Sequence, residues 1–524
     1  MSQPFASSPP SVRLVSLSDR PFEHAVAAAR TCYSGRGVVT ADEVSGVGLP
    51  PDKQQQRQDL RDRIAHSTFR AGHHTTLQHG FAQFALDGVS RQFVWSFLHA
   101  HPFYNSEQTS QRYVEVKPGR VAVPALPDAA RRVFQQAVER QMADYHALAE
   151  LLEPVAAQTY FAVFPARAKD PQKWRQPVQR RAQEVARYVL PVATHTSLVH
   201  TVNILTVLRY RRLCLQPDTP REARFVVDRM AELLFEADPL LRQLDVEPLE
   251  PIAQVTELVG DPQRHRQRIH AFDAELAGRT SVLIDRFAHN ERRVADAVRE
   301  VLGVLPTELD DAAAIATVLD PQHNPLLADP LANVSHQKLG RALHAAHYAF
   351  RKRLSHAADS QDQRHRMTPA ARPSVHAFLS PEPDFVTPGL VTQAGPQAVA
   401  RYTESMQRTW TAIAELQALG VDAEWRAYLL PNAVALRFTE TADLAALRHK
   451  HWMRLCFNAQ EEIWQASVDE AQAIAEVEPN IGRYLLPPCA ARHLAGIRPY
   501  CTEGDRFCGV KVWLQDRAAW RRSV

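Results

Sequence analysis

The chain has 524 residues, with 61 Lys and Arg against 58 Asp and Glu, a formal charge of +3. That length exceeds what one hydrophobic core organises and predicts two domains, while the nearly balanced charge gives no footing for wrapping nucleic acid. No apolar run reaches the roughly twenty residues of a membrane span, and the polar start MSQPFASSPPS lacks an apolar signal core, so a soluble cytoplasmic protein without membrane partners is expected.

Taken in chain order, residues 81–86 alternate apolar with small or polar side chains, like a short half-buried strand, and residues 89–97 have helical apolar spacing. His73, Thr75, Gln78 and His79 then fall on the turn before the strand. Gln108, Ser110 and Arg112 recur at every second position, so an extended segment would point three hydrogen-bonding groups one way, which suits a polar ligand. Three- and four-residue apolar spacing predicts helices over 129–152, 222–234, 294–301, 399–419 and 444–477. Residues 239–262 hold four prolines in a weakly periodic stretch that reads as a connector. Helices dominate and strands are few and short, so the expected fold class is α+β, with two tandem helix-rich domains carrying small antiparallel sheets.

The segment GHHTTLQHGFAQFALDGVSRQFVWSFLHAHPFYNSEQTSQRYV, residues 72–114, resembles the flavin-dependent thymidylate synthases: a Gly-His turn with Thr and Glu-His, a Ser-Arg helix start, then R-H-R, seven residues and S-x-R-Y. Laid on that pattern, Ala100-His101-Pro102 occupies R-H-R, Ser110 is the Ser, and Arg112-Tyr113 follows. Both arginines are missing, and Gln78 stands where Glu is usual. Residues 11–34 look like the family's opening strand and helix. ARYVLPVATHTSLVHTVN, residues 186–203, resembles its A-R-x-x-L-P segment, in which Arg187 and Asn203 match nucleotide and flavin contacts. Cys214 replaces an arginine.

A second copy follows. Tyr188-Val-Leu-Pro191 is echoed by Tyr428-Leu-Leu-Pro431, and 23 residues after each Pro stand Cys214 and Arg454. Arg364-His365-Arg366 precedes Ser374 by the family's seven residues, with His376 where Arg is expected, and Asp443 aligns with the Asn. Arg264-His265-Arg266 lacks these companions and reads as a solvated basic helix. The domains are therefore expected at 1–250 and 263–524, each resembling a synthase protomer.

The resemblance implies transfer of a methylene from methylenetetrahydrofolate to C5 of dUMP, with FAD carrying hydride from NADPH, to give dTMP. It implies catalytic roles for Arg454, Arg364 and Arg366, cofactor contacts from Thr75, His101, Gln108 and Asn203, and substrate contacts from Ser110, Arg112, Arg187 and Ser374. Arginine suits such work because its planar fork holds oxyanions bidentately and stays charged. Since the family builds each site from several subunits, the implied assembly is a homodimer forming a pseudo-tetramer. The alternatives are a catalytically retired homologue that binds flavin or nucleotide, or a structural or interaction protein. Near the end of the chain, Cys489-x3-His493-x7-Cys501-x6-Cys508 supplies three thiols and an imidazole, a possible structural Zn²⁺ set, although short C-x2-C knuckles are absent.

Overall fold

The computed structural model describes residues 4–98, 101–216, 219–245 and 262–522. Ala100 and most of the expected connector lie outside the described residues; its first part, Pro239–Leu244, is a 3-10 helix. Two four-stranded antiparallel sheets organise the chain. The first comprises β1 (Ser11–Leu17), β2 (Phe81–Ser90), β3 (Asn105–Gln108) and β4 (His195–Asn203) in the order β1-β2-β4-β3. The second comprises β5 (Ser281–Arg286), β6 (His347–Ser355), β7 (Ala370–Ala371) and β8 (Ala435–Asp443) in the matching order β5-β6-β8-β7. The expected tandem α+β organisation is thus present.

Strand β2 forms because Ala82, Phe84 and Leu86 all reach the buried face by period-two alternation. It runs farther than the pattern over 81–86 suggests. At Gly88, whose φ is +69°, a bulge re-aims the chain, so Val89 and Ser90 still pair with Thr196 and His195. The helix expected from residue 89 therefore starts at Arg91, where the Ser90 hydroxyl accepts the Phe93 N–H at 2.9 Å. Helix Arg221–Ala237 covers this sheet with Val226, Val227, Met230, Ala231 and Leu234, all buried.

In the second sheet, the helical run expected over 444–477 is two helices, Leu444–Arg454 and Glu461–Val477. The break occurs because Gln460 takes an extended conformation and caps the second helix, its Oε1 accepting from Ile463 N at 3.2 Å. The helix expected over 129–152 runs on to Val163.

Compact units do not follow the consecutive halves expected at 1–250 and 263–524. One comprises residues 1–135 and 192–257, the other 136–191 and 258–524. Within the second unit the two Y-x-L-P segments pair with each other: Asn432 N donates to Leu190 O and Ala433 N to Tyr188 O, both at 2.8 Å, and Asn432 Nδ2 donates to Arg187 O at 3.0 Å. These pairings satisfy buried backbone groups, which explains why the segment 136–191 packs with the later chain.

Candidate functional site

In the first unit, Thr75 lies exposed on the 3-10 helix His74–Gln78, joined to β2 through Gly80. A Cβ on Gly80 would meet Pro21 and Ile204 within 3 Å, and Gly80 O accepts the Ile204 N–H. That close approach holds the turn beside Asn203, which caps helix Ile204–Leu213 through Thr206 N at 2.9 Å. Thr75 and Asn203 thus share one end of the sheet.

His101 belongs to the same end. Its Nδ1 accepts the Phe103 N–H at 2.9 Å, so a neutral ring carries its proton on Nε2, 2.7 Å from the Tyr210 hydroxyl. That hydroxyl also lies 2.9 Å from His200 Nε2. Burial, then neighbouring His101, pushes His200 down to about 3, so the His200 ring is neutral at ordinary pH.

Ser110 and Arg112 lie at the other end. β3 stops at Gln108, and the Ser110 hydroxyl accepts the Arg112 N–H at 3.2 Å in a turn. The expected common direction of Gln108, Ser110 and Arg112 is therefore lost, because the local hydroxyl bond competes with strand pairing. Arg112 is half-buried with its guanidinium 5.3 Å from the Tyr113 ring centre. Gln108 Oε1 is buried without a hydrogen-bond partner.

A signal not read from the sequence is an open cleft of 1110 Å³ in this unit, lined by Arg30, Tyr33, Arg36, Arg57, Arg63 and Thr68 among others. Of its two acids, Asp42 pairs with Arg20 and Glu43 caps its own helix with Thr40. The lining is therefore predominantly cationic.

In the second unit, Arg187 is buried, and its Nε donates to Glu184 O at 3.0 Å. Arg454 and the Arg364-His365-Arg366 turn do come together: Arg454 Nε donates to His365 Nε2 at 2.8 Å and Nη2 to Gln361 O at 2.7 Å. Burial, then Arg454, holds His365 well below the usual imidazole range, so it accepts as a neutral ring. Arg364 and Ser374 are half-buried and Arg366 is exposed.

Beside this turn lies an ionic cluster that the sequence reading missed. Lys352 Nζ sits 2.6 Å from Asp362, 2.9 Å from Glu470 and 3.4 Å from Glu440. Lys450 Nζ sits 3.2 Å from Asp362 and 3.3 Å from Glu470 and also pairs with Glu440; all five are fully buried or nearly so. Counting from the matched caps Asn203 and Asp443 sets Glu440 opposite His200 and Lys450 opposite Tyr210. The signal was present in β6, where Lys352 shares the inward face with Tyr348, Phe350 and Leu354. Three carboxylates face two ammoniums. Burial and Asp362 push Glu440 up to about 7, so of the three carboxylates it takes up a proton first as the pH falls.

Cys214 is buried, its thiol pushed up to about 12 by desolvation, and it packs in the core of the first unit. Among the described residues no three His, Cys, Asp or Glu side chains are already spaced to hold a metal ion. The quartet Cys489, His493, Cys501 and Cys508 is accordingly not assembled as a ligand set; His493 instead packs edge-on against Tyr500, with ring centres 4.9 Å apart.

A family model described as thymidylate synthase complementing protein matches residues 13–240 and 282–480, one stretch for each sheet. The flavin-dependent thymidylate synthase of Clostridium tetani is 27% identical over 204 residues, 38% of this chain and 72% of that protein. Its Mycobacterium tuberculosis counterpart is 30% identical over 191 residues, 36% of this chain and 64% of that protein, so the match spans under two thirds of the mycobacterial length. The crystal structure of a UMP/dUMP methylase PolB from Streptomyces cacaoi, bound with 5-Br dUMP, is 20% identical and covers 45% of this chain and 95% of that one, with a TM-score of 0.31. That last likeness is too slight to carry an argument.

Proposed function

We propose, from the premise that this chain belongs to the thymidylate synthase complementing protein family, that it is a flavin-dependent enzyme methylating C5 of dUMP to give dTMP. The observation that carries the reading in the first copy is Gln108 Oε1, a buried acceptor with no protein donor. Buried acceptors are nearly always satisfied, and the imide N–H of a uracil or flavin ring is a donor of the right kind.

The residues present fit such ligands. Thr75 and Asn203, at one end of the sheet, would hold the cofactor with His101, whose ring is fixed by Tyr210 and Phe103. Ser110 and Arg112, on the turn after β3, would hold the nucleotide, the guanidinium taking phosphate oxygens and the hydroxyl a further polar atom. The arginine-lined cleft favours a ligand with several negative charges. When bound, FAD would supply hydride drawn from NADPH, and methylenetetrahydrofolate would supply the one-carbon unit. Arg187, Arg364, Arg366 and Arg454 would supply the cations absent at Ala100, Pro102 and Cys214, with Ser374 adding a hydroxyl, in a dimer of tandem chains acting as a pseudo-tetramer. Tandem copies raise the effective concentration of the surfaces they share.

Incubation with dUMP, methylenetetrahydrofolate, NADPH and FAD should yield dTMP and release tritium from C5-labelled dUMP. A protein that binds FAD, turning yellow, but makes no dTMP would instead be a retired homologue. One observation favours that second reading: Cys214 is buried and protonated where the family places a cation.

A further inference from the structure

We infer that the arginine-lined cleft of the first unit receives the poly-γ-glutamyl tail of the one-carbon folate, a chain that adds one carboxylate with every residue; the inference rests on the reading above that a folate is the methylene donor. Arg30, Arg36, Arg57 and Arg63 all line this hollow of 1110 Å³. Arg30 is half-buried and the other three are exposed. Among the described residues none of these four guanidiniums makes an ion pair or a hydrogen bond. Two acids share the wall, but Asp42 is already neutralised by Arg20 from outside it, and Glu43 accepts the Thr40 N–H at 2.7 Å. Positive charge is therefore left in excess around one open space, which favours an anionic occupant.

The placement of the cations tells which kind of anion. Arg57 and Arg63 stand six residues apart on the helix Pro51–Arg70, about 9 Å along its axis. Arg30 lies in the last turn of helix Pro21–Thr31, and Arg36 on the loop beyond it. Cations so dispersed meet carboxylates strung along a chain, one apiece, better than one compact diphosphate, whose oxygens call for convergent donors. Between the charges the cleft shows apolar surface, with Tyr33 89%, Val38 82%, Val47 56% and Leu49 40% exposed. Such surface suits the methylenes of the glutamyl chain and the aromatic ring that precedes it.

The cleft is also continuous with the turn that carries Thr75. Ala29, Ile64 and Thr68 line both the cleft and a small hollow bounded by His73 and Thr76. A folate whose reacting ring lies at the Thr75 end of the sheet would thus have its tail beside the arginines.

The test titrates the full chain with folic acid carrying one or four glutamyl residues, followed by calorimetry, so that the readout does not depend on turnover. The tetraglutamate should bind roughly tenfold more tightly, as three added exposed ion pairs allow, and the advantage should shrink as salt is raised. Arg57→Gln combined with Arg63→Gln should erase that advantage. Should the pair disturb its helix, Arg36→Gln on the loop provides a second variant, which should reduce the advantage severalfold. Tetraglutamate preference in a protein that makes no dTMP would uphold the cleft assignment and sink only the synthase reading. Conversely, dTMP formation with equal binding of the two folates would overturn the inference and leave that reading standing. A double variant that keeps the tetraglutamate advantage but loses affinity for NADPH would assign the cleft to dinucleotide phosphates, and would overturn it too.

Discussion

Gln108 and Glu440 show how single buried polar atoms carry opposite meanings. Gln108 Oε1 has no partner, so its value lies in what it awaits. Gln108→Ala should weaken dUMP or FAD binding by about 1–2 kcal/mol, roughly tenfold, in a spectroscopic titration; equal affinity would assign Gln108 a packing role only. Glu440 is surrounded by partners, and its folded pKa of about 7 lies above its ordinary 4.5. The folded state therefore holds a proton the unfolded chain gives up, a stabilisation fully present below the unfolded value and lost as pH rises toward 7. Asp362 and Glu470, held below the ordinary range by Lys352 and Lys450 against the cost of burial, contribute in the other sense, their stability being lost as pH falls. His200 and His365, both held below the ordinary imidazole range, oppose this by gaining stability as pH rises toward 6.5, so the Glu440 contribution is read as a difference: Glu440→Gln should make stability climb more steeply with pH than the wild type between about pH 5 and pH 7, by up to about 1.4 kcal/mol per unit. Urea melts across this range provide the measurement; identical slopes would place the proton elsewhere.

Among elements, the two sheets repeat the same devices at strand-to-helix junctions. Asn203 and Asp443 each end a strand and cap the following helix, accepting from Thr206 N and Ala446 N. Ser90 and Ser355 do likewise for Phe93 N and Ala358 N, and each hydroxyl donates to a glutamate, the buried Glu222 at 2.5 Å and the half-buried Glu462 at 2.6 Å. Asn203→Asp should keep the cap, as Asp443 does, whereas Asn203→Ala should cost about 1 kcal/mol. A loss of FAD binding in Asn203→Asp at unchanged stability would separate a cofactor contact from the cap; no change in binding would leave Asn203 only structural. Glu222→Ala leaves the Ser90 N–H and hydroxyl unpaired in the core and should cost about 3 kcal/mol in denaturant melts.

At the level of the whole molecule, the segment 136–191 belongs with the second unit. Its Tyr188 hydroxyl donates to Glu462 at 2.7 Å and accepts from Gln460, Gln141 Nε2 donates to Leu429 O at 3.0 Å, and Asp144 takes Arg401 at 2.9 Å and Arg408 at 3.1 Å. A fragment of residues 263–524 would lose all of these partners, with Glu462 and Leu429 O left buried or exposed anew. It should melt well below the full chain or aggregate; a fragment as stable as the intact protein would refute the importance of that packing. The proposed pseudo-tetramer predicts, by light scattering, a mass twice the chain's 58.9 kDa.

Much of this was legible in local pattern. Alternation over 81–86 revealed β2, three- and four-residue spacing revealed the long helices, and the equal distances from Pro191 to Cys214 and from Pro431 to Arg454 revealed the repeat that the two matching sheet orders display. Spacing alone singled out Arg364-His365-Arg366 and Arg454, but that Arg454 meets His365 was decided by the fold. Other features arose only from chain brought together over long separations. The Ser110 turn and the break before Gln460 were decided by side-chain bonds to backbone, which periodicity does not register. Lys352, Asp362, Glu440, Lys450 and Glu470 look like ordinary surface charges until two strands and three helices remove them from water together. Sequence spacing records what neighbours along the chain can do, whereas desolvation and convergence of distant groups depend on the closed core.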